Sequence, residues 1–195
     1  MASIGDELRA AGERPYLIPT GGSVPIGAAG YVTMVGELLA QLASAGEAPR
    51  RLYFPTGSLG TQAGLVVGAQ AFSAPFAVYG VAVEHPVDQL IVDGAALANG
   101  TAELLGIRRQ FTASDITIDG SFIGAAYGVP TEEGGEAIRL LARTEAVFLD
   151  PVYSGKAMSA LTSHARAGEL DPNEAVVFLH TGGGPSLFAA GTALL

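Results

Sequence analysis

Apolar residues form short continuous runs, and longer stretches with helical periodicity separate these runs. A continuous apolar run bounded by turn residues is typical of a strand covered on both faces, as in a parallel sheet. The predicted strands are 15–19, 52–54, 76–83, 116–118 and 175–180.

Helical patterns fill most of the intervals between the predicted strands. The longest has Val32, Val35, Leu38 and Leu42 at helical spacing and stops near Gly46. Further helices are predicted at 6–12, 61–72, from Pro86 onward, at 132–143, at 154–168 and after 185. The alternation predicts a single α/β domain over residues 1–195, with a largely parallel sheet flanked by helices.

The loop after the strand at 52–54 contains Gly57, Ser58, Leu59, Gly60 and Thr61. A strand that ends in a glycine-rich loop and leads into a helix directs backbone N–H groups and the positive end of the helix dipole at one point. This layout favours binding of an anion, and the absence of a Gly-Lys-Ser/Thr sequence favours a phosphate monoester over a triphosphate. An ordinary strand–loop–helix turn is the alternative. A second glycine-rich loop, 182–184, also follows a predicted strand, where ligands collect in such sheets.

Composition narrows the classes of partner and chemistry. A net charge of −9 argues against nucleic acid and anionic membrane, and zero cysteines exclude disulfides and thiolate chemistry. No apolar run is expected to approach the roughly 20 residues of a membrane span. His85 and His164 have no spacing typical of metal ligands, so no metal site is predicted. The cytoplasm is the default prediction for the compartment.

Five stretches together resemble the D-cysteine desulfhydrase / 1-aminocyclopropane-1-carboxylate deaminase family, whose enzymes depend on pyridoxal 5'-phosphate (PLP). They are Ile-Pro-Thr-Gly-Gly-Ser at 18–23, Thr-Gly-Ser-Leu-Gly-Thr-Gln-Ala-Gly-Leu at 56–65, Tyr-Gly-Val-Pro at 127–130, Asp-Pro-Val-Tyr-Ser-Gly-Lys-Ala-Met at 150–158 and His-Thr-Gly-Gly at 180–183. The resemblance implies most of the large PLP-binding domain of a fold-type-II, tryptophan-synthase-β type enzyme.

The resemblance also implies roles for individual residues. Gly57, Ser58, Leu59, Gly60 and Thr61 would hold the cofactor phosphate. Tyr127 and Tyr153 would be the active-site tyrosines, although two half-buried structural tyrosines are the alternative. The hydroxyl of Thr181 would meet the pyridine nitrogen without holding it protonated, which suits elimination chemistry.

Ser154 and Thr181 favour the desulfhydrase branch of the family. The deaminase branch has a glutamate at the position of Ser154 and an apolar residue at the position of Thr181. The implied activity is α,β-elimination from a small amino acid, giving pyruvate, ammonia and sulfide. The alternatives are a 1-aminocyclopropane-1-carboxylate deaminase, or a non-catalytic remnant or module that binds a phosphate compound.

The family's Schiff-base lysine lies upstream of the matched stretches, and Lys156 is the single lysine of this chain. We therefore expect the chain to lack the N-terminal part that carries that lysine and to be inactive alone. It should expose an apolar face and associate as a homodimer or with an N-terminal half.

Overall fold

Four parallel strands form the centre of the fold in a computed structural model that describes residues 2–84 and 86–191. They are β1 (Arg51–Thr56), β2 (Ala77–Ala82), β3 (Ile118–Asp119) and β4 (Val176–Phe178), in the order β3-β2-β1-β4. All three neighbouring pairs run parallel, which confirms the predicted α/β architecture. Because β1 lies between β2 and β4, the loop that follows β1 is flanked by the loops that follow both neighbours.

Helices cover both faces of this sheet. Their bounds are α1 Ala2–Ala10, α2 Pro25–Ala45, α3 Gly60–Ala71, α4 Val87–Leu104, α5 Glu132–Thr144, α6 Ser154–Arg166 and α7 Gly184–Ala190. The helix ends predicted from the sequence agree with the structure where a capping residue marks the end. Gly46 ends α2 in the left-handed region at φ 72°, and the Thr131 hydroxyl accepts the Gly134 N–H at 3.0 Å to start α5.

The side chains of β1 alternate between two cores. Leu52 and Phe54 are fully buried and pack in the core shared with α2, α3 and α4. Tyr53, also fully buried, points the other way and packs against Ala157 and Ala160 of α6. Since both faces are covered, residues 52–55 are apolar in succession rather than at every second position.

A buried polar contact joins the sheet to α6. The Tyr53 hydroxyl lies 3.0 Å from His164 Nδ1, and His164 Nε2 lies 3.5 Å from the Asp119 carboxylate. Tyr79 donates to the same carboxylate at 3.2 Å, and burial followed by the Asp119 charge raises the pKa of Tyr79 to about 12. His164 therefore links β1 and β3 and has a structural role.

Glycines allow α2 and α3 to pack closely. A Cβ on Gly64 would overlap the Ala28 carbonyl and lie 2.6 Å from Tyr31 Cβ, and a Cβ on Gly68 would lie 2.8 Å from Val35 Cγ2.

At 21 residues and mean hydropathy 1.3, α2 is long and apolar enough to span a membrane by length and composition. The apolar sequence of the helix is interrupted by Thr33, Glu37 and Gln41, so it is not a continuous apolar run of the kind that the sequence was expected to lack. Core helices of soluble proteins and signal sequences near an N-terminus pass the same test.

Two strand predictions differ from the structure. Residues 15–19 form no strand: Tyr16 and Ile18 are 83% and 62% exposed, and the two prolines limit backbone pairing. The strand predicted at 116–118 pairs only from Ile118, because Ile116 ends the 3-10 turn Ala113–Asp115 and buries its side chain in the core. Local β-branching indicated the region but not the register.

Candidate active site

A cleft of about 440 Å³ lies at the carboxyl ends of β1, β2 and β4. It brings together most of the residues singled out in the sequence, although they are spread over more than 120 positions. The lining residues are Thr20, Gly21, Tyr31, Pro55, Thr56, Gly57, Ser58, Leu59, Thr61, Val83, Glu84, Tyr127, Tyr153, Thr181 and Gly183. The 57–61 loop and Thr181 thus face one space rather than opposite sides of the molecule.

The loop after β1 has the geometry of an anion cradle. Leu59 is the N-cap of α3 and adopts φ 72°, a left-handed conformation that a leucine rarely takes. Within the described chain, the backbone N–H groups of Ser58, Leu59 and Thr61 have no acceptor. The N–H of Gly60 differs, because it donates to Ser23 Oγ at 3.2 Å and Gly60 does not line the cleft. Unpaired amides at a helix N-terminus favour an anionic ligand.

Thr56 adds a further unpaired polar atom. Its hydroxyl is buried at the end of β1, has no hydrogen-bond partner among the described residues, and belongs to a residue that lines the cleft. Buried hydroxyls normally have partners, so one left without them beside unpaired amides fits a site that receives a polar group. The residues present therefore fit the phosphate group of a cofactor such as PLP.

Two tyrosines, Tyr127 and Tyr153, also line the cleft. The Tyr127 and Tyr153 hydroxyls share a short hydrogen bond, and the rings meet edge to face with centroids 6.0 Å apart. The hydrogen bond with Tyr127, then burial, raises the pKa of Tyr153 to about 12. Tyr153 therefore keeps its proton at neutral pH and can donate it to a ligand.

Asp150 joins the two segments that carry Tyr153 and Thr181. Its fully buried carboxylate accepts the Val152, Tyr153 and Ser154 N–H groups at 2.8–2.9 Å and the Ser186 hydroxyl at 3.1 Å. A Cβ on Gly183, at φ 91°, would overlap this carboxylate. Burial by itself would raise the pKa of Asp150, but the hydrogen bonds outweigh burial and lower the pKa below its ordinary value.

His180, which immediately precedes Thr181, fixes the course of the chain there. Its Nδ1 accepts the Gly182 N–H at 3.1 Å, so its Nε2 carries the proton and donates to the Phe148 carbonyl at 2.9 Å. Both ring nitrogens are thus used by the backbone. This favours a structural role for His180 over that of a general base.

Sequence reasoning missed several residues that line the cleft. Thr20 and Gly21 belonged to a recognised stretch but received no role. Glu84 follows β2, and its position at the carboxyl end of a parallel strand was the signal that could have found it. Tyr31 carried no such signal, because α2 reaches the cleft only through its packing on α3.

Comparison with known proteins decides the family. The model of the family described as "Pyridoxal-phosphate dependent enzyme" matches residues 1–182. The chain belongs to this family. The family's cofactor is pyridoxal phosphate, in agreement with the prediction from the sequence.

Individual relatives fit the same assignment. The chain is 39% identical over 189 residues to a D-cysteine desulfhydrase of Yersinia pestis (strain Pestoides F), covering 97% of this chain and 56% of the relative. A Klebsiella pneumoniae (strain 342) D-cysteine desulfhydrase is 38% identical over 182 residues, covering 93% and 54%. A crystal structure of an "ACC deaminase homologue" superposes with a TM-score of 0.88 at 35% identity, covering 99% of this chain and 57% of that one. The chain thus spans about half the length of these relatives.

Proposed function

We propose that this chain forms the phosphate-binding and ring-facing side of a PLP-dependent lyase of D-cysteine desulfhydrase type. The observation that carries the proposal is that unpaired amides, the two tyrosines and Thr181 line one cleft. The Yersinia and Klebsiella relatives named D-cysteine desulfhydrase support the choice of reaction. The substrate would be a small amino acid, with pyruvate, ammonia and sulfide as products.

Each residue would have a limited task. The amides of residues 58, 59 and 61 and the Thr56 hydroxyl would bind the phosphate, and the helix dipole of α3 would stabilise its charge although the chain as a whole is negative. Thr181 would hydrogen-bond the ring nitrogen as a neutral group. Tyr153 would hold a proton at its hydroxyl for transfer to the substrate. When bound, PLP supplies the electron sink that stabilises negative charge at the substrate carbon.

Lys156 is a poor candidate for the lysine that such chemistry requires. Its side chain is fully buried, it does not line the cleft, and its Nζ donates to two backbone carbonyls. We therefore propose that the complete activity needs a lysine from outside these 195 residues. Exposed apolar side chains between residues 16 and 26, of which Ile26 is 68% exposed, would offer a surface for an N-terminal half or a second copy.

Binding of PLP to the 195-residue chain in phosphate-free buffer is the first test. Ser58→Asp places a carboxylate in the cradle and should weaken PLP binding at least about tenfold, equivalent to ~1.4 kcal/mol. Binding of pyridoxal, which has no phosphate, should change little. Ser163→Asp, an exposed position on α6, is the control. Equal loss for both ligands, or no loss for PLP, contradicts the cradle.

The reaction is tested separately. The chain is mixed with a separately produced N-terminal half of the Yersinia relative, and pyruvate is measured with D-cysteine as substrate. No pyruvate from any small β-substituted amino acid counts against the lyase. A preference for 1-aminocyclopropane-1-carboxylate would favour the deaminase alternative, which the structure of the ACC deaminase homologue supports. PLP binding without any turnover would favour a remnant or binding module. As part of the same proposal, the protein would act in the cytoplasm.

A further inference from the structure

Lys156 occupies an unusual position for a lysine. It lies in the first turn of α6, three residues after Tyr153, with its side chain fully buried. Its Nζ donates to the Ile123 carbonyl at 2.6 Å and to the Ala126 carbonyl at 3.3 Å. Both acceptors belong to the turn that immediately precedes Tyr127.

A buried ammonium is costly without a counter-charge, and an apolar side chain of similar volume would often be as stable. Among the described residues, no carboxylate forms an ion pair with Lys156, and burial lowers its pKa. General stability is therefore a weak explanation for a lysine here. Its distinct contribution is geometric, because one cation holds two carbonyls of the same turn.

The side chain of Ile123 packs in the core with Leu59 and Leu90, but the rest of the turn lies at the surface. Residues 124–130 are exposed, and Gly124 and Gly128 adopt φ of 75° and 77°. The Val129 N–H donates to the Ala126 carbonyl at 3.2 Å, and Lys156 reaches the same carbonyl from inside the fold. An exposed turn with two left-handed glycines needs such an anchor to keep a long side chain in one place.

We infer that Lys156 is a positioning residue that fixes the turn 123–126 so that the Tyr127 hydroxyl meets the Tyr153 hydroxyl. Because Lys156 and Tyr153 are both at the start of α6, the helix holds one tyrosine directly and the other through the lysine. The inference concerns the tyrosine pair alone and holds whether or not the cleft binds PLP.

The test follows the tyrosine hydroxyls by nuclear magnetic resonance in the full chain labelled with ¹³Cζ-tyrosine. The Tyr127 and Tyr153 signals are assigned with the two phenylalanine variants. In Lys156→Met the titration midpoint of Tyr153 should fall from about 12 toward the ordinary value of 10.0, because the hydrogen bond between the two tyrosine hydroxyls is lost. In a Tyr127→Phe background, the same substitution should cause no further shift.

Ser159→Ala is the matched control. Ser159 is also buried in α6, and its hydroxyl donates to the Lys156 carbonyl without touching the turn. A folded Lys156→Met chain, checked by circular dichroism, with an unchanged Tyr153 midpoint overturns the inference. An equal shift in Ser159→Ala, which would indicate general loosening of α6, also overturns it.

The unaltered chain decides the matter if Lys156→Met does not fold. Since the chain has one lysine, ¹³Cε-lysine labelling gives a single assigned signal. Overhauser contacts from this signal to residues 123–127 support the inference. A signal without them, or one that titrates like an exposed lysine, refutes it.

Discussion

Replacing Asp150 by asparagine removes a charge and an acceptor from the junction between the segments that carry Tyr153 and Thr181. In the best orientation, the asparagine oxygen replaces Oδ2, which accepts the Val152 and Tyr153 N–H groups and the Ser186 hydroxyl. The new amide group then faces the N–H and hydroxyl of Ser154, which donate to Oδ1 at 2.8 and 2.6 Å. At least one buried N–H loses its acceptor.

The magnitude follows from these contacts. A buried donor without an acceptor costs about 2 kcal/mol, and changing three acceptor contacts from charged to neutral costs about 1 kcal/mol each. The asparagine avoids the cost of burying a charge, which offsets about 2 kcal/mol of this sum. We expect Asp150→Asn to lower the free energy of unfolding by about 3 kcal/mol. The melting temperature should then fall by about 6–12 °C for a chain of this size.

The assay is urea unfolding followed by far-ultraviolet circular dichroism, because the chain has no tryptophan. Asp171→Asn is the control: Asp171 is exposed and accepts the Asn173 N–H at 2.8 Å, so its loss should cost within about 0.5 kcal/mol. A loss below about 1 kcal/mol for Asp150→Asn, or one no larger than the control's, refutes the reasoning.

The dependence on pH gives an independent check on Asp150. Its pKa in the folded chain lies below the ordinary 3.8, so its charged form is favoured by folding. That contribution is present above the unfolded pKa and is lost as the pH falls through the folded pKa. The difference in stability between the wild type and Asp150→Asn should therefore be constant near neutral pH and narrow below about pH 4.

Three further changes test other parts of the structure. Gly64→Ala should destabilise the chain by about 1–3 kcal/mol in urea unfolding, because the added methyl overlaps an α2 carbonyl. Gly30→Ala, on the exposed surface of α2, is the control and should stabilise the chain by about 0.5–1 kcal/mol. Equal effects would contradict the close packing. Tyr53→Phe removes the hydroxyl that lies 3.0 Å from His164 and should cost about 1–3 kcal/mol in the same assay; a neutral substitution would mean that this buried contact contributes nothing. Folding raises the pKa of Tyr153 to about 12, so the stability that this group contributes below pH 10 should be lost as the pH rises toward 12. Tyr153→Phe should flatten this decline in the free energy of unfolding. An equal decline with pH in both chains would count against the tyrosine hydrogen bond.

Much of the fold could be predicted from local sequence because local physics decides it. The strands at 52–54 and 76–83 were continuous apolar runs, and α2 ended at a glycine that accepts the left-handed conformation. The loop 57–61 was recognisable as an anion site because glycines, hydroxyls and a helix start lie adjacent in the chain. The roles of its residues in binding PLP stay predictions.

Only the tertiary structure decided which distant segments meet. The strand order β3-β2-β1-β4 places the loops after β2 and β4 on either side of the loop after β1, and no local pattern encodes that order. Asp150 and Lys156 looked like ordinary members of one motif. The fold buries both side chains and brings Asp150 to the Ser186 hydroxyl and Lys156 to two carbonyls of the turn before Tyr127. The apolar run at 15–19 failed as a strand for the converse reason: pairing needs a neighbouring edge, and these residues have none in the described chain. Local sequence thus fixed which segments can carry the chemistry, and long-range packing fixed where their side chains converge.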